Sequence, residues 1–350
     1  MSGKQRDYRI DILKGALVCA MITCHVLQFY GDTQLFPSAN TWMLWINITA
    51  FSGFVFAYGW SVSIAYLDKP YSTAAPRIAL SCLRSYAAFA VSGVAFRVVY
   101  EGKPFAQNTV RRILLLQDIP GWSEFLAAFF AYALVTLILF IPMKKLRSST
   151  AASILAAAAC IAVCLAPIRD INIPYINLLI GGGTSTLFPI VQYAPYFIAG
   201  LLMPSITRLK QAVILVAVSV AASAAGGLLW SIKGEPSRFP PGMGWILTPA
   251  AVIAALVLAA APLAATLRCE RWSRWNPVRA LCSLGRDSLY YLVMSNLAIF
   301  ALAASNIAPW LKSKTWFLWA TPIQSPLGAL YWALALIAVI RVTAAFAKRR

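Results

Sequence analysis

Runs of about 20 apolar residues, separated by short polar and basic stretches, recur along the whole chain. A helix needs roughly 20 such residues to cross the hydrocarbon core of a bilayer. The pattern predicts ten spans, over residues 10–30, 42–67, 78–99, 121–143, 150–168, 187–204, 211–232, 244–267, 281–304 and 327–347. The sixth, within LFPIVQYAPYFIAGLLMP, is short and flanked by proline. Trp42, Trp45, Trp122, Trp230, Trp245 and Trp332 fall near predicted ends, where indole rings settle at the membrane interface. The expected fold is all-α: a polytopic integral membrane helical bundle forming a single domain over residues 1–350.

Composition agrees. The chain is 60% apolar and 12% charged, with mean hydropathy +0.72. A water-soluble domain of this size needs far more charge to cover its surface. The first apolar run follows a basic stretch, but it is longer than a signal-peptide core and no small-x-small site follows it, so it is expected to persist as the first helix.

The net charge of +19 would suit a nucleic-acid partner if it lined one face. Instead the basic residues sit between the apolar runs, which excludes that class and leaves anionic lipid headgroups as the partner of the excess. With a cytoplasmic N-terminus, seventeen Lys and Arg fall on inner segments and eight on outer ones. That bias predicts both termini in the cytoplasm. Two longer outer loops are expected, at 169–186 and 233–243.

Cysteine offers no framework. Cys19, Cys24, Cys82, Cys160, Cys164 and Cys282 lie in or beside apolar runs and Cys269 in a basic loop, without metal-type spacing. No metal site is expected. GGGTST at 181–186 lacks the lysine of a phosphate loop and is expected to be a turn. No pair of interrupted hydrophobic segments of the transporter type stands out.

The candidate chemistry lies in the first span, RIDILKGALVCAMITCH. Lys14 and His25, the chain's one histidine, are eleven residues apart. At 100° per residue they share a stripe, separated by about 16 Å along the axis. Ionisable groups in a membrane belong in a protein interior or a water-filled cavity. Lys14 also fits a snorkelling role at the inner headgroups, and His25 fits a neutral, hydrogen-bonded imidazole as well as a general base.

Asp11-Ile-Leu-Lys14-Gly15, with His25 after ten intervening residues, resembles the first helix of the membrane-bound acyltransferase 3 family, in which arginine is usual where Lys14 stands. FSGFVFAYGWSVSIAY (51–66), FPIVQYAPYFIAG (188–200) and LGRDSLYYLVMSN (284–296) resemble three further family segments. Ser295 occupies a position where many members carry histidine.

The resemblance implies an acyl-CoA-dependent O-acetyltransferase in a bacterial inner (plasma) membrane. It would have no permanently bound cofactor. Acetyl would pass from acetyl-CoA to a hydroxyl of a glycan or lipid-linked glycan. His25 would act as base or acyl carrier, with Ser295 or Asn296 as hydrogen-bond donor to the oxyanion. Lys14, Arg84, Arg9 and Arg77 are the candidate acyl-CoA phosphate ligands, and Glu124, Arg97 and Arg238 the candidate acceptor ligands. Arg97 and Glu124 could equally pair with one another. Asp11 is expected to orient a cation on another helix, and Arg286 with Asp287 to serve structure. The competing class is a transporter or flippase for an anionic or glycolipid substrate, with His25 as a proton relay.

Overall fold

A computed structural model describes residues 6–166, 173–182, 187–267, 277–305, 315–316 and 321–347. Their elements, in chain order, are α1 (Tyr8–Tyr30), α2 (Ser38–Val62), α3 (Tyr71–Ala95), α4 (Gln107–Leu114), α5 (Glu124–Ile138), α6 (Phe140–Ser148), α7 (Thr150–Ala162), α8 (Pro174–Ile180), α9 (Ile190–Leu202), α10 (Leu209–Lys233), α11 (Met243–Leu247), α12 (Ala250–Thr266), α13 (Pro277–Arg286), α14 (Ser288–Ala304) and α15 (Pro326–Ala347). A single π turn extends each of α2 and α3, to Leu67 and Tyr100. The one ladder among the described residues is a two-residue antiparallel pairing, Thr315 with Pro322 and Trp316 with Thr321. Apart from that pairing, the regular structure of the described residues is helical, as the apolar windows predict.

Among the described residues, six helices are long and apolar enough to cross a membrane, and up to eight segments are if two bent pairs each count once. The bent pairs are α5 with α6, at 84°, and α13 with α14, at 85°. These breaks correct the expectation of uninterrupted helices. Each falls on one residue outside the helical region, Leu139 at φ −98°, ψ 27° and Asp287 at φ −104°, ψ 28°. Neither is Gly or Pro, so a search for Gly- or Pro-interrupted segments passes over them. Pro142 lies three residues past the first break, in the opening turn of α6, where its missing N–H costs nothing. The segments expected at 150–168 and 187–204 hold shorter helices, Thr150–Leu165 and α9.

The described residues group into two compact units, one of residues 1–50, 94–109 and 260–350, the other of residues 51–93 and 110–259. In the first, α1 packs on α13, α14 and α15. In the most apolar stretch of α1, 78% of residues are buried, against 6% for α10 in the second unit. The apolar side chains of α10, such as Val213, Val218 and Leu228, therefore face outward, as a lipid-facing helix requires.

Each unit is seamed by a reciprocal glycine crossing. In the first, a β-carbon on Gly15 would strike the Leu281 carbonyl, and one on Gly285 the Asp11 carbonyl. In the second, Gly59 meets the Phe197 carbonyl and Gly200 the Phe56 carbonyl. Only glycine lets two helix backbones approach this closely. The segments around residues 11–25 and 284–296 thus meet in one unit, and those at 51–66 and 188–200 in the other.

Candidate active site

Asp7 caps α1, its carboxylate accepting the Arg9 amide at 3.1 Å. The Gly15–Gly285 crossing then locks α1 lengthwise against α13, which sets the height of every side chain further along it. Fourteen residues past Asp11, near the far end of α1, His25 meets Asn296 on α14.

His25 Nδ1 lies 2.9 Å from Asn296 Oδ1, with both side chains buried. An amide oxygen only accepts, so Nδ1 carries the proton and Nε2 keeps the lone pair. Asn296 thereby fixes the tautomer and the ring plane of the only imidazole in the chain. Its neighbour Ser295 is also buried, but its hydroxyl donates to Leu292 O at 3.0 Å within the same helix. The single proton of Ser295 is spent there. The two candidate oxyanion donors therefore hold different positions: Asn296 orients the imidazole, and Ser295 bonds its own backbone.

At the other end of α1, Arg6 Nε donates to Asp11 Oδ2 at 2.6 Å. This corrects the expectation for Asp11, whose cation comes from its own chain segment. Arg6 precedes the first helical residue, so its long side chain folds back over the opening turn. Arg9 is engaged by Asp7 through two bonds, of 2.9 and 2.7 Å. Lys14 lies one turn beyond Asp11 on the same side, within electrostatic reach of Asp11, Arg6 and Asp287.

Two open cavities flank this end. One, of about 310 Å³, is lined by Tyr8, Arg6, Arg279, Ser283 and Arg286 among others. The other, of about 370 Å³, has Arg6, Asp7, Tyr8 and Arg9 on one side and the α12 alanines on the other. Arg6 and Arg279 are cations that sequence reading passed over, and Arg286 is one it assigned to structure alone. A signal was present: Arg279 and Arg286 are seven residues apart, two helical turns, and so share one face of α13. Arg286 also pairs with Asp287 at 3.2 Å, at the helix break.

The remaining candidates divide between the units. Arg77 and Arg84, two turns apart on α3, belong to the second unit, where both charges bear on the Tyr66 hydroxyl. Glu124, at the head of α5, and Arg238 also belong to that unit and interact electrostatically. Arg97 belongs to the first unit. It pairs with Glu101, its Nη1 lying 2.6 Å from Oε1, a four-residue spacing that needs no partner from α5. Glu101 also receives Lys103 at 2.9 Å. Cys269 and residues 183–186 of the GGGTST stretch lie outside the described residues. Among the described residues, no group of three metal-ligating side chains forms.

No family model, no characterised protein and no solved structure matches this chain.

Proposed function

We propose that this chain is an integral membrane O-acyltransferase that moves an acetyl or other short acyl group from acyl-CoA to a glycan hydroxyl. The supporting observation is the buried His25–Asn296 pair, set on a helix whose other end is ringed by Arg6, Arg279 and Arg286. A general base needs one lone-pair nitrogen held in a fixed direction, which the Asn296 carbonyl secures. A nucleotide-bearing donor needs cations spaced for phosphates, and guanidinium forks suit them.

In this reading the chain crosses a bacterial inner membrane ten times, with both termini in the cytoplasm. The acceptor hydroxyl loses its proton to His25 Nε2 as its oxygen attacks the thioester carbonyl. The C–O bond forms, the C–S bond breaks, and the CoA thiolate takes up the proton held by the imidazole. Of the candidate donor-phosphate ligands, Lys14 and Arg9 belong to the first unit and Arg77 and Arg84 to the second; of the acceptor candidates, Arg97 belongs to the first and Glu124 and Arg238 to the second.

The test is CoA release from radiolabelled acetyl-CoA by purified protein, compared with His25→Ala. Loss of release with retained donor binding supports the base. Release that persists in the variant overturns it.

One observation favours the competing reading. Each unit carries a helix broken by about a right angle, and broken helices form substrate sites in many transporters. That reading requires substrate movement across proteoliposomes without CoA release, so the same preparation separates the two.

A further inference from the structure

Away from the His25–Asn296 pair and the cavities at the head of α1, the described residues hold a concentration of buried polar atoms without partners. It lies in the second unit. Glu124 Oε2, Asn177 Oδ1 and Gln192 Oε1 are buried without a hydrogen-bond partner among the described residues, and so is Arg238 Nε. Glu124, Asn177 and Gln192 are all less than a tenth exposed. Buried polar atoms are almost always bonded, because leaving one unmade forfeits its solvation without return. Several in one unit call for a common cause.

The elements place them around one region. Gln192 Oε1 is aimed at Gly181, where a β-carbon would stand 3.3 Å from it and 2.9 Å from Pro240 Cβ. Asn177 is one turn back, its carbonyl accepting the Gly181 amide at 2.9 Å. The Arg238 guanidinium lies 4.6 Å over the Phe239 ring and 5.4 Å over Phe188. Its charge bears on both the Glu124 carboxylate and the Tyr193 hydroxyl. Tyr193 in turn accepts the Trp245 indole N–H at 3.1 Å. Backbone amides of Trp122 and Glu124 also face the carboxylate. Trp122 itself has φ at +59°, a left-handed conformation that bulky residues rarely adopt without a local reason.

The chemistry of the missing partner follows from this inventory. Three of the four orphan atoms are acceptors, so the partner must bring several hydrogen-bond donors. The Arg238 Nε–H is a donor, so the partner must also accept once. A metal cation or an ammonium ion fits poorly, since Arg238 already supplies positive charge beside the one carboxylate. Phe188, Phe239, Tyr193 and Trp245 add apolar ring faces. Hydroxyls that both donate and accept, carried on a ring with a C–H face, satisfy every part of this list.

We infer that this cluster is a binding site for a neutral polyhydroxylated ring, a sugar unit, held by Glu124, Gln192, Asn177 and Arg238 against the aromatic rings. The inference deepens the glycan-acceptor reading by naming the residues that hold the sugar, and it draws its biological sense from that reading. Its test needs no acyl donor, so it can fail while donor cleavage stands, and the reverse.

The experiment is saturation-transfer NMR of the purified chain with methyl glycosides of glucose, galactose, mannose and N-acetylglucosamine. A detergent without a sugar headgroup is essential. Expected is saturable binding of at least one glycoside, weakened at least tenfold in both Gln192→Leu and Glu124→Gln. Loss of a single ring hydroxyl from that glycoside should weaken it by a similar factor, because the buried oxygen opposite is then orphaned again. Gln192→Leu should also leave the unliganded protein as thermostable as wild type or more so, since it removes an unmade bond. No saturable binding across the panel would overturn the inference. So would variants or deoxy analogues that bind like their parents, or stabilisation by sodium or alkylammonium ions in place of glycosides.

Discussion

Gly285→Ala isolates the crossing that sets the height of His25. A β-carbon there would lie 2.6 Å from the Asp11 carbonyl carbon and 2.9 Å from its Cα, whereas carbon atoms rest at about 3.5–4.0 Å. The helices must part by about 1 Å, which forfeits roughly a quarter to a half of the dispersion attraction along the seam. Forcing extra volume into a close-packed seam costs about 1–3 kcal/mol. Alanine returns up to about 1 kcal/mol through its better helix propensity. The net loss, about 1–2 kcal/mol, should lower the melting temperature by roughly 1.5–3 °C in a chain of this length. Thermal unfolding of detergent-purified protein, followed by tryptophan fluorescence, reads this directly. Gly227→Ala on α10 is the control, because nothing lies within 4 Å of its β-carbon position. It should be neutral or stabilising. If Gly285→Ala melts with or above wild type while the control behaves, α1 and α13 do not cross as described.

Three further outcomes are expected. Asn296→Ala leaves a buried imidazole N–H without its acceptor, costing about 1–3 kcal/mol. It should cut CoA release at least tenfold with donor binding intact, and wild-type turnover would remove Asn296 from the site. Arg279→Ala and Arg84→Ala should each raise the apparent KM for acyl-CoA with little change in kcat, most clearly at low salt; an unchanged KM excludes the residue concerned. Burial pushes the Glu101 carboxyl upward, but the hydrogen bonds from Arg97 and Lys103 outweigh it and hold the group below its ordinary value. Its contribution to stability is therefore complete above the unfolded carboxylate pKa of about 4.3 and is lost as pH falls through the lower folded value. Glu101→Gln should flatten that acid limb in a melting-temperature series, and an unaltered limb would show the pair to be inert.

Much of the helical architecture is legible from apolar run length alone, because a bilayer-length window is a property of one segment. The shared stripe of Lys14 and His25 is equally local, since helical period decides it. The motif glycines are visible too, Gly15 and Gly59 as much as Gly200 and Gly285. Their pairing is not, because it depends on which carbonyl each one faces. The breaks at Leu139 and Asp287 leave little trace, since neither residue is a habitual breaker and the apolar run continues through the first.

What the sequence determined by itself, then, is an all-helical membrane chain with one histidine and one lysine on a common face. What only the tertiary structure decided is the company these residues keep. Asn296 is 271 positions from His25, and Arg279 was one loop charge among many until α13 folded against α1. The orphaned oxygens of Glu124, Asn177 and Gln192 look unremarkable in the chain and are conspicuous only when buried together. The physical reason is that lipid is as apolar as the helices it surrounds, so hydrophobicity selects the helices but not their neighbours. Close glycine seams and buried hydrogen bonds make that choice, and both exist only between segments.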